Sequence, residues 1–270
     1  MDLLYGSGKN ICVQLVKNEK VKMISFTGST ETGKKIMSLG SKNIKRLSLE
    51  LGGKNSIIIM KDADINKSVD IVIKSFCANS GQACVMTSKL LIDEKIKKIF
   101  INKLIQRLKL IKNFKSVLGP ITTKFQFDKI HKLLLKNKKF NKNIIFGSIK
   151  KRKDNYLFPI IYDNIPINNE INKIEIFGPI LSIISFTNVD EAIEIANSTN
   201  YGLSAVICCK NVNKARIISR KIECGRIWIN NSIDISFPEL PIGGFKESGF
   251  NRECGEEGFK TYSELKSVII

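Results

Sequence analysis

The chain is poor in the side chains on which most metal and hydrolase chemistry depends. It has one histidine, His131, and one tryptophan, Trp228, in 270 residues. A lone histidine leaves no partner for a multi-histidine zinc site, and no C-x-x-C pair supplies the thiolate half of one, so no metal is expected. The cysteines are seven, an odd number, which argues for reduced thiols rather than a disulfide framework. Long apolar runs are missing too: ILSIISF at 180–186 is far too short to span a bilayer. The opening MDLLYGSGKN has no basic region followed by an apolar core, so no secretory signal is read there. A cytoplasmic location without a membrane partner is expected.

Lysine is abundant and arginine is not: only seven of the 44 basic residues are arginine, against a formal net charge of +19. Such a charge raises the prospect of nucleic-acid binding, since clustered cations neutralise phosphates. The distribution argues otherwise. The runs KIKKIF (95–100), LLLKNKKFNKN (133–143) and KKRK (150–153) are scattered, carry no interleaved aromatics for base stacking, and accompany an excess of Ile and Asn along the whole chain. A solvated lysine-rich surface and no nucleic-acid partner are expected. With 43% hydrophobic and 26% charged residues the chain has the composition of a globular protein with a substantial core.

Strand-like and helix-like segments alternate. VKMISFTG (21–28), IKRLSLELGG (44–53), NSIIIM (55–60), SKLLID (88–93), FGPILSIISF (177–186) and LSAVICC (203–209) read as strands. Helical patterns fall at 29–41, 61–81, 94–113, 121–137, 190–199 and 213–222. This order predicts an α/β sandwich with a mostly parallel sheet. The Gly- and Pro-rich stretch 225–258 reads as ordered loop, and the closing YSELKSVII as an extended arm or edge strand.

Three motifs carry candidate chemistry. In FTGSTETG, Gly28 permits a tight turn after a strand and Gly33 allows close packing where a helix begins, an arrangement whose free N–H groups attract phosphate. A plain glycine turn reads the same way. In LELGGK, Glu50 stands between Leu49 and Leu51 before a Gly-Gly break. A carboxylate in an apolar strand suits a general base of raised pKa, or else an edge-strand residue facing water. In NSGQAC, Cys84 follows a helix and a Gly-Gln turn, where backbone amides could stabilise a thiolate. Alternatively it is one more small buried residue.

Taken in order, FTGSTETG, LELGGK, NSGQAC, EIFGPI (175–180), NYGL (200–203), GRIWIN (225–230) and PIGGFKESG (241–249) resemble the NAD(P)-dependent aldehyde dehydrogenase superfamily from about residue 5 to the end. The resemblance implies an aldehyde dehydrogenase-like three-layer α/β sandwich. Residues 1–52 would form part of the NAD(P)-binding domain, 53–250 the catalytic domain, and 251–270 a C-terminal segment and oligomerisation arm. It implies oxidation of a small aldehyde to the acid with NAD or NADP. Cys84 would be the nucleophile, passing through a thiohemiacetal and a thioester, and Glu50 the base that activates the hydrolytic water. Gly28, Ser29, Gly33, Leu51, Glu175 and Phe177 would contact the cofactor, and Phe237 the substrate. The other cysteines are expected to be structural, Trp228 to lie in the core and His131 at the surface.

The chain is roughly half the family's usual length. The upstream asparagine that completes the family's oxyanion hole, and the lysine at the adenine ribose, have no counterpart here. A C-terminal piece of a longer or split enzyme is therefore expected, a homo-oligomer in full-length form, with little turnover alone. A non-catalytic remnant or subunit-association fragment is the alternative. The segments GRIWIN and PELPIGGFKESG resemble the betaine-aldehyde branch, while ISFTGSTETGKKIM also resembles succinate-semialdehyde enzymes. Ser232 stands where the first branch would place an aromatic side chain to face a quaternary ammonium group.

Overall fold

The structure, a computed structural model, describes residues 2–150, 154–234 and 236–270. Of the basic run KKRK, residues 151–153 lie outside the described residues. The chain divides into two compact units, one formed by 1–52 with 235–270 and the other by 53–234.

The first unit begins with α1 (Val13–Lys17), β1 (Met23–Thr27), α2 (Thr30–Gly40) and β2 (Arg46–Glu50). The second contains β3 (Asn55–Ile59), α3 (Ile65–Cys77), β4 (Thr87–Asp93), α4 (Glu94–Lys109), α5 (Lys124–Lys136), β5 (Ile144–Phe146), β6 (Ile160–Asp163) and α6 (Glu170–Lys173). It continues through β7 (Ile180–Phe186), α7 (Val189–Asn197), β8 (Tyr201–Gly202), β9 (Ser204–Cys208), α8 (Val212–Lys221) and β10 (Arg226–Ile229). The chain then returns to the first unit with β11 (Phe245–Lys246), β12 (Gly249–Phe250) and α9 (Gly255–Thr261). The strand and helix segments read from the sequence appear, with ends shifted by a few residues where caps intervene. Asp64 caps α3 from its side chain and Ser29 caps α2.

The second unit is built on a seven-stranded sheet in the order β10-β9-β3-β4-β7-β6-β5, parallel except for the β5–β6 pair. β3 is buried along its whole length, as a parallel strand covered on both faces must be. Ile58, Leu91 and Ile207 share one face and pack with Ala192 and Ile195 of α7 and Ala215 and Ile218 of α8. The alternate residues face the other way, where α3 and α4 supply the buried Val72, Phe76, Phe100 and Leu104. A further cluster joins Phe127, Ile130 and Leu134 of α5 to Ile160 and Tyr162 of β6.

In the first unit β2 is the central strand, parallel to β1 and antiparallel to β12. Its core joins Leu47, Leu49 and Leu51 to Ile36 of α2 and Val16 of α1. The final residues, 263–270, take no regular secondary structure, and Leu265, Val268, Ile269 and Ile270 are exposed. Among the described residues no helix is long and apolar enough to cross a membrane.

Candidate functional site

Glu50 is the last residue of β2, and its neighbours fix it from both sides. Thr27 of β1 is its register partner on one side and Gly249 of β12 on the other. Its carbonyl accepts the Gly28 N–H at 3.0 Å, so the turn that leads into α2 is tied to the strand end. Only 5% of Glu50 is exposed, so the water-facing edge-strand reading does not hold. Beyond it the Leu51 N–H donates to the Ser248 carbonyl, and the Ser248 hydroxyl to the Gly52 carbonyl. Ser29 accepts the Thr32 N–H at 3.3 Å on its side chain, starting α2. Gly33 lies against Leu51: a Cβ there would stand 2.7 Å from the leucine Cδ2. Gly28, Ser29, Gly33, Glu50 and Leu51, all singled out in the sequence, are therefore one constellation. Phe237 opens a turn, its carbonyl accepting the Leu240 N–H at 3.2 Å, and is 43% exposed.

Cys84 occupies a turn between α3 and β4. The α3 helix ends at Cys77, and the chain then takes three successive left-handed residues: Asn79 at φ 48°, Ser80 at φ 55° and Gly81 at φ 70°. Left-handed backbone costs a non-glycine residue about 1–2 kcal/mol, so such a run persists only where side chains and close packing hold it. Gly81 approaches the Gly178 backbone so closely that any Cβ would collide with it. Beyond the thiol, Asn55 at the start of β3 donates its amide to the Cys84 carbonyl at 2.7 Å and to the Met86 carbonyl at 3.0 Å. Its oxygen accepts the Ser204 N–H at 3.0 Å, and the Ser204 hydroxyl donates to the Val85 carbonyl at 3.0 Å. The thiol-bearing turn is thereby bolted to the N-terminal ends of β3 and β9.

Cys84, Glu175, Phe177 and Gly178 line one narrow crevice, with Gly53 and Gly81 in its walls. The Glu175 carboxylate accepts the Gly53 N–H at 3.1 Å. Burial raises the Glu175 pKa above its ordinary value, against the opposing pull of that N–H, Lys129 and Lys54. Phe177 is held at φ 58°, an unusual backbone for an aromatic residue. The structure thus gathers three residues from motifs 91 positions apart or more in sequence into one site within the second unit.

Cys77, Cys208 and Cys209 are buried, Cys84 and Cys224 are partly open, and Cys12 and Cys254 are exposed. Burial pushes the Cys208 thiol up to about 12 and raises that of Cys77 further, which leaves both inert. Cys209 donates to the Asp62 carboxylate at 3.4 Å, and burial, then that carboxylate, raise its pKa. Trp228 is buried and donates its indole N–H to the Asp234 carbonyl. His131 is half-buried, stacked parallel to the Phe127 ring with centroids 6.5 Å apart.

Sequence reasoning missed three features. Asn55 reads only as the first residue of an apolar strand, and nothing local marks it as the anchor of the Cys84 turn. Lys54 completes the GGK motif but is only 2% exposed, and its ammonium makes no hydrogen bond among the described residues. Desolvation, then Lys89, lowers its pKa to about 7, with Glu175 opposing. Finally, a cleft of about 530 Å³ in the first unit runs between α1 and α2, with Val16, Phe26, Ile36 and Leu39 in its walls and Lys9 and Lys35 at its margin.

Known proteins fit this arrangement. The model of the aldehyde dehydrogenase family matches residues 1–268. A relative from Staphylococcus epidermidis is 36% identical over 99% of this chain and 58% of its own length. Betaine aldehyde dehydrogenase 1 of Oryza sativa subsp. japonica is 36% identical over 99% of this chain and 54% of its own. Among solved structures, an NAD-dependent aldehyde dehydrogenase from Sinorhizobium meliloti superposes with a TM-score of 0.92 at 33% identity, covering 97% of this chain and 54% of that one. A betaine aldehyde dehydrogenase from Staphylococcus aureus, solved in complex with NAD+, gives a TM-score of 0.88 at 32% identity over 95% of this chain and 53% of that one. The chain spans little more than half the length of these relatives, and along nearly all of its own length it belongs to the aldehyde dehydrogenase family.

Proposed function

We propose that this chain carries the thiol, base and part of the cofactor site of an enzyme that oxidises a small aldehyde to its carboxylic acid with NAD(P)+. The observation that carries the reading is the crevice shared by Cys84, Glu175 and Phe177. Cys84 attacks the aldehyde carbon through its thiolate, forming a thiohemiacetal whose oxyanion the Cys84 backbone N–H helps to hold. A nicotinamide held beside Glu175 and Phe177 would supply the acceptor for the hydride on the thiohemiacetal carbon, whose loss turns the adduct on Cys84 into a thioester. Glu50 takes a proton from water, the hydroxide adds to the thioester carbon, and the acid departs as the thiol is restored.

The remaining residues bind and orient. Glu175 and Phe177 are assigned to the nicotinamide ribose and ring. Gly28, Ser29, Gly33 and Leu51 are assigned to the phosphate-facing turn and its support. The apolar cleft between α1 and α2 fits the flat apolar part of a dinucleotide, and the start of α2 presents N–H groups suited to its phosphates. NAD is the cofactor named for the Sinorhizobium and Staphylococcus structures, which favours it here. Phe237 is assigned to the substrate. The exposed apolar Leu265 and 268–270 favour a homo-oligomer.

Acylation tests the assignment without cofactor. The chain is treated with p-nitrophenyl acetate and digested, and the acetyl group is located by mass spectrometry. It is expected on Cys84. Label distributed over Cys12, Cys224 and Cys254 with none on Cys84 would overturn the reading.

A further inference from the structure

On the upstream side of the turn that carries Cys84, one side chain makes the most bonds. Gln82 stands two residues before the thiol, and its amide is used completely. Its nitrogen donates to the Asn79 carbonyl at 3.3 Å and to the Pro120 carbonyl at 3.2 Å. Its oxygen accepts the Thr122 N–H at 2.8 Å and the Thr122 hydroxyl at 3.0 Å. Two donors and two acceptor positions are all that a carboxamide has. The partners also fix its orientation, because two carbonyls must face the nitrogen and a backbone N–H must face the oxygen.

These bonds join two segments that nothing in the chain order brings together. One is the left-handed run Asn79–Gly81, whose backbone is closed by the Gln82 N–H to the Asn79 carbonyl at 3.0 Å. The other is the segment 119–122 ahead of α5. One further bond tightens the turn, the Asn79 amide donating to the Gln82 carbonyl at 2.8 Å, and one reinforces the joint, the Ser80 hydroxyl donating to the Gly119 carbonyl at 2.7 Å. A run of left-handed residues springs open unless its ends are restrained, and Cys84 lies at its exit. On the downstream side Asn55 holds the Cys84 carbonyl. The thiol is therefore aimed by two amides, one in front of it and one behind.

We propose that Gln82 is a positioning residue for the reaction at Cys84: three of its four side-chain hydrogen bonds lock the left-handed turn to the 119–122 segment, the fourth closes the turn on Asn79, and together they set the direction of the thiol and of the Cys84 backbone. The inference rests on the assignment of Cys84 as nucleophile. Gln82 touches neither substrate nor cofactor in this role. Addition to a carbonyl demands alignment of sulfur and amide donor, and a misplacement of about 1 Å costs such a step up to about 10²-fold. Alkylation by a small haloacetamide makes no such demand.

The test compares the two reactions at the same thiol in the same chain. Gln82→Met keeps the volume and removes every hydrogen bond. Rates of acetylation by p-nitrophenyl acetate and of alkylation by iodoacetamide are measured at Cys84 by peptide mass spectrometry across pH, with the buried thiols Cys77 and Cys208 as reporters of unfolding. The expected result is an acetylation rate at least about tenfold lower, with iodoacetamide alkylation within about threefold of wild type and Cys77 and Cys208 still protected. An acetylation rate within twofold of wild type would overturn the proposal. Should Gln82→Met expose Cys77 and Cys208, Thr122→Val carries the test, since it removes only the hydroxyl: about a threefold loss of acetylation is expected, and none contradicts it. Failure of the nucleophile assignment looks different, because the unaltered chain would then take up no acetyl group at Cys84.

Discussion

The strand end bearing Glu50 and the turn bearing Cys84 reach fixed geometry by opposite means. Glu50 is held by backbone. Its strand lies between a parallel and an antiparallel neighbour, and its carbonyl closes onto Gly28. Cys84 is held by side chains: Gln82 ahead of it, Asn55 and Ser204 behind it, and glycine where no Cβ fits. A ladder is made from repeated, interchangeable bonds, so it tolerates changes of side chain. A turn pinned by three particular amides and hydroxyls does not. The proposed roles match this difference: a carboxylate that takes a proton from water can sit on a ladder, whereas a thiol that meets a carbonyl at a fixed angle needs the individual clamp.

The largest effect should separate the two chemically. Glu50→Gln keeps the strand but removes the proposed base. The acetyl group on Cys84 is expected to persist about 10²-fold longer, while its formation changes by no more than a few-fold. The intact mass followed through time checks both. Equal loss of formation and hydrolysis would mean that Glu50 acts on the thiol itself.

Next in size is a backbone substitution. Gly81→Ala places a methyl group against the Gly178 backbone at a left-handed position and is expected to cost about 2 kcal/mol or more. A Cβ at Gly119 in the same unit meets nothing within 4 Å, so Gly119→Ala should change stability by only a few tenths of a kcal/mol, read from the denaturation midpoint. Similar midpoints for the two variants would show that the turn yields more freely than its packing implies.

The effect most gradual in pH, at most about 1.4 kcal/mol per unit, concerns Lys54, beside the Gly53 N–H that holds Glu175. Its folded pKa is depressed to about 7 from 10.5. Between these values the unfolded chain binds the proton and the folded chain does not, so its contribution to stability rises with pH across that window and the full penalty applies below it. Lys54→Met is therefore expected to stabilise the chain most below pH 7. That advantage should shrink by at most about 1.4 kcal/mol per pH unit on the way to pH 10. Denaturation midpoints of both proteins across pH 6–10 check this, and a constant difference would place the ammonium in contact with water.

What could be read from the sequence follows the same division. β2 and β3 were legible because a run such as NSIIIM has no other use than a doubly covered strand. Glu50 stood out because a carboxylate between leucines conflicts with its surroundings. Cys84 was legible only through its motif, since a thiol after a helix looks like any small core residue. Its clamp was illegible: Gln82 is bound to Pro120 and Thr122, and Asn55 to Ser204, partners that periodicity and spacing cannot connect. Lys54 was obscured for the same reason, as burial of a lysine is set by the fold around it.

The central claim is that one thiol of seven is built for reaction. A limiting amount of isotope-coded iodoacetamide at pH 7.5, followed by denaturation and a second label, ranks all seven by rate in one experiment. The account predicts that Cys84 is modified first, ahead of the more exposed Cys12 and Cys254, and that Cys77 and Cys208 are the slowest. Modification in simple order of exposure, with Cys12 and Cys254 leading and Cys84 no faster than Cys224, would contradict it.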